Sequence, residues 1–120
     1  MYGYSRAVVA GDRVHVSGTV AAMPDGARPP LAAADQARRC YEIIGGALAQ
    51  AGASFADVVR VTIYLARLED FDEVGRVNGE LFGETRPACT AVVVASLIEP
   101  QYLVEIEVDA WIGPPAGAAA

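Results

Sequence analysis

The sequence predicts an α+β domain, one sheet covered on one face by two helices, in the order β-β-α-β-α-β-β. Three observations carry this expectation. Residues 57–66 (DVVRVTIYLA) and 102–112 (YLVEIEVDAWI) alternate apolar and polar side chains, the two-residue period of a strand. Residues 33–51 and 70–83 instead repeat apolar positions every three or four residues, the period of a helix. At 120 residues the chain can bury one hydrophobic core but not two. The expected domain spans 1–113, and the low-complexity stretch 114–120 is expected to fray.

Taken in order, residues 5–9 (SRAVV) and 13–17 (RVHVS) flank a tight turn and read as a hairpin. Residues 23–30 (MPDGARPP) form a loop, because three prolines and a glycine supply turn geometry and deny ladder hydrogen bonds. The first helix buries Ala37, Cys40, Tyr41, Ile44, Ala47, Leu48 and Ala51 and stops at Gly52, where a left-handed residue can end it. In the strand that follows, Val59, Val61, Ile63 and Leu65 take one face and Arg60, Thr62 and Tyr64 the other. The second helix carries a stripe of Phe71, Val74, Asn78, Leu81 and Phe82. Residues 89–95 (CTAVVVA) and 102–112 complete the strands, joined by a turn around Glu99 and Pro100.

Composition narrows the function. Nine basic residues against fifteen acidic ones give a net charge of −6, which repels phosphate backbones and acidic lipid surfaces, so neither nucleic acid nor a membrane is an expected partner. No run of about 18 apolar residues is present, and MYGYSRAVVAG lacks the layout of a signal peptide, so a cytoplasmic location is expected. Cys40 and Cys89 have no CxxC or CxxH spacing and His15 is the single histidine, so no disulfide framework and no metal site is signalled.

The last strand sets Glu105, Glu107 and Asp109 at alternate positions, opposite Val104, Ile106, Val108 and Ala110. The apolar set must face the helices. The acidic set then lies on the uncovered face with Arg60, Thr62 and Tyr64, a semi-polar surface suited to water or to a symmetric subunit interface with polar pockets. His15 shares a face with Arg13 and Ser17. Asn78, inside an apolar stripe, is either a satisfied buried amide or a donor to a pocket, since an unpaired buried amide is costly.

Four stretches in order resemble the Rid family, the YjgF-type proteins of reactive-intermediate deamination. YGYSRAVVAGDRVHVSGTVA resembles the family's opening Gly-Pro-Tyr-Ser, strand and Ser-Gly pattern, with Tyr2 where proline is usual. QARRCYEIIGGALAQAGASFADVVRVTIYLARLEDFDEVGRVNGELFG is similar to its first helix, central strand and second helix, and RPACTAVVVASLIEPQYLVEIEVDAW to its C-terminal hairpin. The resemblance covers nearly the whole chain. It implies a chorismate-mutase-like fold with a mixed sheet and a homotrimer whose sheets face one another. It also implies a small-molecule pocket in each subunit interface and cofactor-free hydrolysis of enamines or imines.

By the same resemblance Glu105 points into the pocket, which Tyr4, Ser17, Gly18 and Asn78 also line. The imine-deaminating members carry arginine in a Pro-Ala-Arg-Ser/Thr motif, and here the motif reads Pro87-Ala88-Cys89-Thr90. A thiol cannot reproduce the two charge-assisted hydrogen bonds by which a guanidinium fork holds a carboxylate, and Arg86 lies along a different part of the loop. Two readings follow. In the first, Glu105 relays protons as a general acid or base in a hydrolase or deaminase, with Cys89 lining the pocket or, if a cation activates it, acting as nucleophile. In the second, the same trimer binds or senses a small metabolite without turning it over. A ribonuclease role is opposed by the acidic charge and by the lack of a histidine pair or basic patch.

Overall fold

The computed structural model describes residues 1–115. The seven main elements are β1 (Ala7–Ala10), β2 (Arg13–Thr19), α1 (Ala33–Gln50), β3 (Val58–Leu65), α2 (Phe71–Phe82), β4 (Ala88–Val93) and β5 (Val104–Trp111), in the expected order. Most of the tail expected at 114–120 lies outside the described residues. The β1–β2 hairpin turns through Gly11 and Asp12, and Gly11 has the positive φ of 60° that a two-residue hairpin loop requires.

The strands form one mixed sheet in the order β1-β2-β5-β3-β4, with β3 and β4 parallel and the other pairs antiparallel. The C-terminal hairpin implied by resemblance is therefore not a hairpin: β4 and β5 lie on opposite sides of β3. The physical reason is the α2 crossover, which returns the chain to run parallel to β3 and so occupies that strand's free edge, leaving β5 to insert between β2 and β3.

Both helices cover the face that carries Val14, Val16, Val61, Ile63, Leu65, Val104, Ile106 and Val108. From α1 the core takes Ala37, Cys40, Tyr41, Ile44, Ala47 and Leu48, as the helical stripe requires, and burying Ile44 or Leu48 contributes about 1.5–3 kcal/mol each. The helix ends in a Schellman motif: Gly52 has φ +81°, Ala53 N–H donates to Leu48 O at 2.8 Å and Gly52 N–H to Ala49 O at 3.1 Å. At its start, Ala34 N–H donates to Glu73 Oε2 at 2.9 Å, so α2 places a carboxylate at the positive end of α1. Tyr41, Phe55 and Phe82 meet edge to face with centroids 5.6–6.0 Å apart and close the space between the helices.

Gln36, absent from the expected stripe, is fully buried. Its amide donates to Pro30 O and Gln101 O and accepts from Leu103 N–H, which ties α1 to the loop that leads into β5. Phe71 departs the other way: at the first turn of α2 it is half exposed, and Val77 fills the core in its place.

Each strand that flanks β5 carries a bulge. On β2, Val16 pairs with Val108 and Thr19 with Ile106, so one extra residue is taken up around Ser17 and Gly18. On β3, Val58 pairs with Ala110 and Arg60 with Asp109, so Val59 is the extra residue. Strict alternation assigned Val59 to the core. The bulge turns it out to the uncovered face, where it is 45% exposed, and Val58 is buried instead.

Candidate functional site

The register of β5 against β3 sets Glu105 beside Tyr64, Glu107 beside Thr62 and Asp109 beside Arg60, so the acidic row and the polar row share the face that the helices leave open. The three carboxylates are not equivalent. Tyr64 Oη–H donates to Glu107 Oε1 at 2.6 Å, a bond that holds the phenol proton and raises its pKa. His15 Nδ1 donates to Asp109 Oδ1 at 2.7 Å. Glu105 makes no hydrogen bond or ion pair among the described residues.

Its carboxylate leans over the β2 bulge instead. A Cβ built on Gly18 would overlap Glu105 Oε2, so a larger residue there would push the carboxylate out of this position. The bulge is held from below by Arg6, whose Nη1 donates to Ser17 O at 3.3 Å, Gly18 O at 3.1 Å and Thr19 Oγ1 at 2.6 Å. Ser17 Oγ–H donates to Ser5 O at 2.6 Å and fastens the N-terminal segment that carries Tyr4. A cavity of about 510 Å³ opens between Tyr4 and Ser17, and Tyr4 is 69% exposed. Tyr4 and Ser17 thus line this cavity, and Glu105 lies against Gly18, the next residue along β2.

Asn78 and Cys89 lie elsewhere. Tyr41 Oη–H donates to Asn78 Oδ1 at 2.7 Å, so the asparagine in the apolar stripe is a satisfied amide whose NH₂ remains available. Tyr41 is raised in pKa, by burial first and then by the neighbouring Cys89 and Cys40 thiols. Cys89 pairs with Val61 across parallel strands, so its side chain takes the face of Val61, opposite Glu105, at the exposed edge of the sheet. Partial burial of its sulfur raises the thiol pKa against the opposing effect of Arg60, which keeps it a neutral thiol rather than a ready nucleophile. Cys40 is an inert core residue, its thiol pushed up to about 12 by burial and then by the charge of Glu105. Arg86, with φ +49°, sits in the turn after α2 with its N–H on Phe82 O at 2.8 Å.

One chain therefore holds the expected site residues in two separate groups, on opposite faces of the sheet and two strands apart. Within the chain Glu105 is not the acid of β5 nearest Cys89: Cys89 is level with Val108, beside Glu107 and Asp109. No local pattern points to Arg6, which acts through a bulge formed by residues distant from it in sequence. Tyr41 could have been found, as a hydroxyl that must be satisfied inside an apolar stripe. Among the described residues no group of three His, Cys, Asp or Glu side chains could hold a metal ion.

Losing the Tyr41 to Asn78 bond measures how firmly Asn78 is held. Tyr41→Phe is expected to lower stability by about 1 kcal/mol, read as a shifted urea midpoint with an unchanged slope. An unchanged midpoint would mean that water replaces the phenol without loss.

This helix-covered mixed sheet is a chorismate-mutase-like α+β fold. The chain belongs to the YjgF/Rid family: the family model described as Endoribonuclease L-PSP matches residues 1–112. It is 36% identical over 112 residues to the 2-iminobutanoate/2-iminopropanoate deaminase of Bos taurus, covering 92% of this chain and 81% of that protein. Among solved structures it is similar to Rv2704 of Mycobacterium tuberculosis, of the YjgF/YER057c/UK114 family, with a TM-score of 0.84, 43% identity, and 92% and 88% of the two chains covered. It is also similar to Escherichia coli TdcF with bound serine, with a TM-score of 0.84, 29% identity, and 92% and 89% covered. No helix among the described residues is long and apolar enough to cross a membrane.

Proposed function

We propose that this chain hydrolyses a small reactive enamine or imine without a cofactor, in a pocket shared between two copies of itself, with Glu105 as the proton-transferring group. The observation that carries the reading is the inequality of the acidic row: Glu107 and Asp109 are engaged by Tyr64 and His15, whereas Glu105 has no partner among the described residues and lies against Gly18. Relatives named as imine deaminases and a relative with bound serine support the chemistry. Water adds to the imine carbon, the resulting carbinolamine expels ammonia, and a carbonyl compound remains. An enamine first moves its N–H proton to carbon to become the imine; Glu105 then takes one proton from the attacking water and passes it to the imine nitrogen, and relays the carbinolamine hydroxyl proton to the same nitrogen as ammonia departs.

Tyr4, Ser17, Gly18 and Glu105 would form one wall, and Asn78 and Cys89 of a second copy the other. A single chain holds these groups on opposite faces of its sheet, so a pocket that contains all of them needs an assembly, and three copies closing around the open faces is the one we propose. Sedimentation is expected to give about three times the 12.5 kDa chain mass. A monomer at micromolar concentration would sink the shared pocket. The direct test is release of ammonia from 2-imino acids generated in situ, compared with imines and enamines that lack a carboxylate. Turnover of the second group with little of the first is expected, because Cys89 replaces the carboxylate-holding arginine.

The same replacement favours a second reading, a metabolite-binding trimer, since a neutral thiol neither orients a carboxylate nor attacks a carbon. Saturable binding without turnover of any imine or enamine would select it. A nuclease role is not proposed: a net charge of −6 repels RNA, and one histidine cannot supply an acid and a base pair.

A further inference from the structure

Glycine at position 18 leaves space for the Glu105 carboxylate but makes the seat hard to hold, because glycine has the most backbone freedom to lose. The sheet does little to hold it. Pairing between β1 and β2 ends at Ala7 and Val16, so beyond Val16 the outer edge of β2 has no strand beside it. On the inner side the ladder to β5 is interrupted between Val16 and Thr19, which is where Ser17 and Gly18 lie.

Arg6 supplies what the sheet lacks there. Beyond the backbone bond from Ser17 N–H to Arg6 O at 3.0 Å, its Nη1 donates to Ser17 O, Gly18 O and the hydroxyl of buried Thr19, and that hydroxyl donates in turn to Ser17 O at 2.8 Å. Successive carbonyls of a regular strand point to opposite edges. Those of Ser17 and Gly18 accept from one nitrogen, so this clamp fits the bulged backbone and not a straight one. Among the described residues no hydrogen bond or ion pair joins Arg6 to Glu105, so any influence of the guanidinium on the acid passes through Gly18.

We infer that Arg6 is a positioning residue for the proton transfer: it fixes Gly18, and with it the place of the Glu105 carboxylate, without touching the substrate. The inference rests on the reading of Glu105 as the proton-transferring group. A carboxylate displaced by about 1 Å leaves a pocket that still binds but a proton transfer that is poorly aligned, so the loss falls on kcat.

A double-variant cycle on the full-length protein tests it. Disappearance of 2-iminopropanoate and of phenylmethanimine, formed in situ by flavin oxidases from alanine and benzylamine, is followed with the spontaneous loss subtracted. Arg6→Gln is expected to lower kcat by about 10–100-fold with KM within about threefold of wild type. Arg6→Lys, which keeps the charge and N–H donors but not the planar fork, is expected to lose only about two- to fivefold. In the Glu105→Gln background, adding Arg6→Gln is expected to change the rate by less than about twofold, because no acid is left to position. Circular dichroism and sedimentation verify each variant; if Arg6→Gln does not assemble as wild type does, Arg6→Lys takes its place, its smaller loss expected to vanish in the same way once Glu105 is gone. Unchanged kcat in the arginine variants, a loss through KM alone, or the same loss with and without Glu105 overturns the inference while the reading of Glu105 stands. Wild-type turnover in Glu105→Gln, or no turnover of either imine by the wild type, removes that reading and the inference with it.

Discussion

Glu105→Gln is expected to reduce turnover of the true substrate by roughly 10²–10⁴-fold, the usual worth of a positioned acid or base. Glutamine has the same shape and clears Gly18 in the same way, so the sheet, the assembly and ligand binding are expected to persist while the transferable proton is lost. Glu107→Gln and Asp109→Asn are the controls. Both acids lie on the same strand face, but each already serves a neighbour, Tyr64 or His15, so either change is expected to cost less than about tenfold in rate. Steady-state kinetics on the three variants, with sedimentation to verify assembly, makes the comparison. If all three turn over alike, the acidic row belongs to the interface or to water, and the binding reading of this pocket gains.

Cys89→Arg is expected to raise kcat/KM on 2-imino acids by about 10–100-fold, because the charge-assisted hydrogen bonds it adds to a substrate carboxylate are worth roughly 1.5–3 kcal/mol. The position accommodates the larger side chain: Cys89 is exposed on the edge strand, where no neighbouring strand is displaced. Arg60, near enough to oppose the rise in the Cys89 pKa, will repel a second guanidinium and hold the gain toward the lower end. Imines without a carboxylate are expected to show no gain. Wild-type turnover of 2-imino acids already equal to that of an arginine-bearing relative would show that another group holds the carboxylate.

Much of the fold and part of the candidate site could be read directly from the chain. The alternation in β3 and β5, the helical stripe of α1 and its end at Gly52 follow from contacts between near neighbours, and the element order matches. The acidic row on β5 was legible for the same reason, since side chains alternate across any strand. Asn78 was legible as a polar residue out of place, though not its bond to Tyr41.

What tertiary structure alone decided is pairing. That β5 inserts between β2 and β3, that Val59 turns outward, that Ser17 and Gly18 form a bulge and that Gln36 is buried all depend on residues distant in sequence. The same holds for the choice among three similar carboxylates, because Tyr64 and His15 reach Glu107 and Asp109 from neighbouring strands and leave Glu105 without a partner among the described residues. Local sterics set the period of an element, but register is a balance of many long-range contacts, and one extra residue in a strand moves every side chain beyond it to the other face.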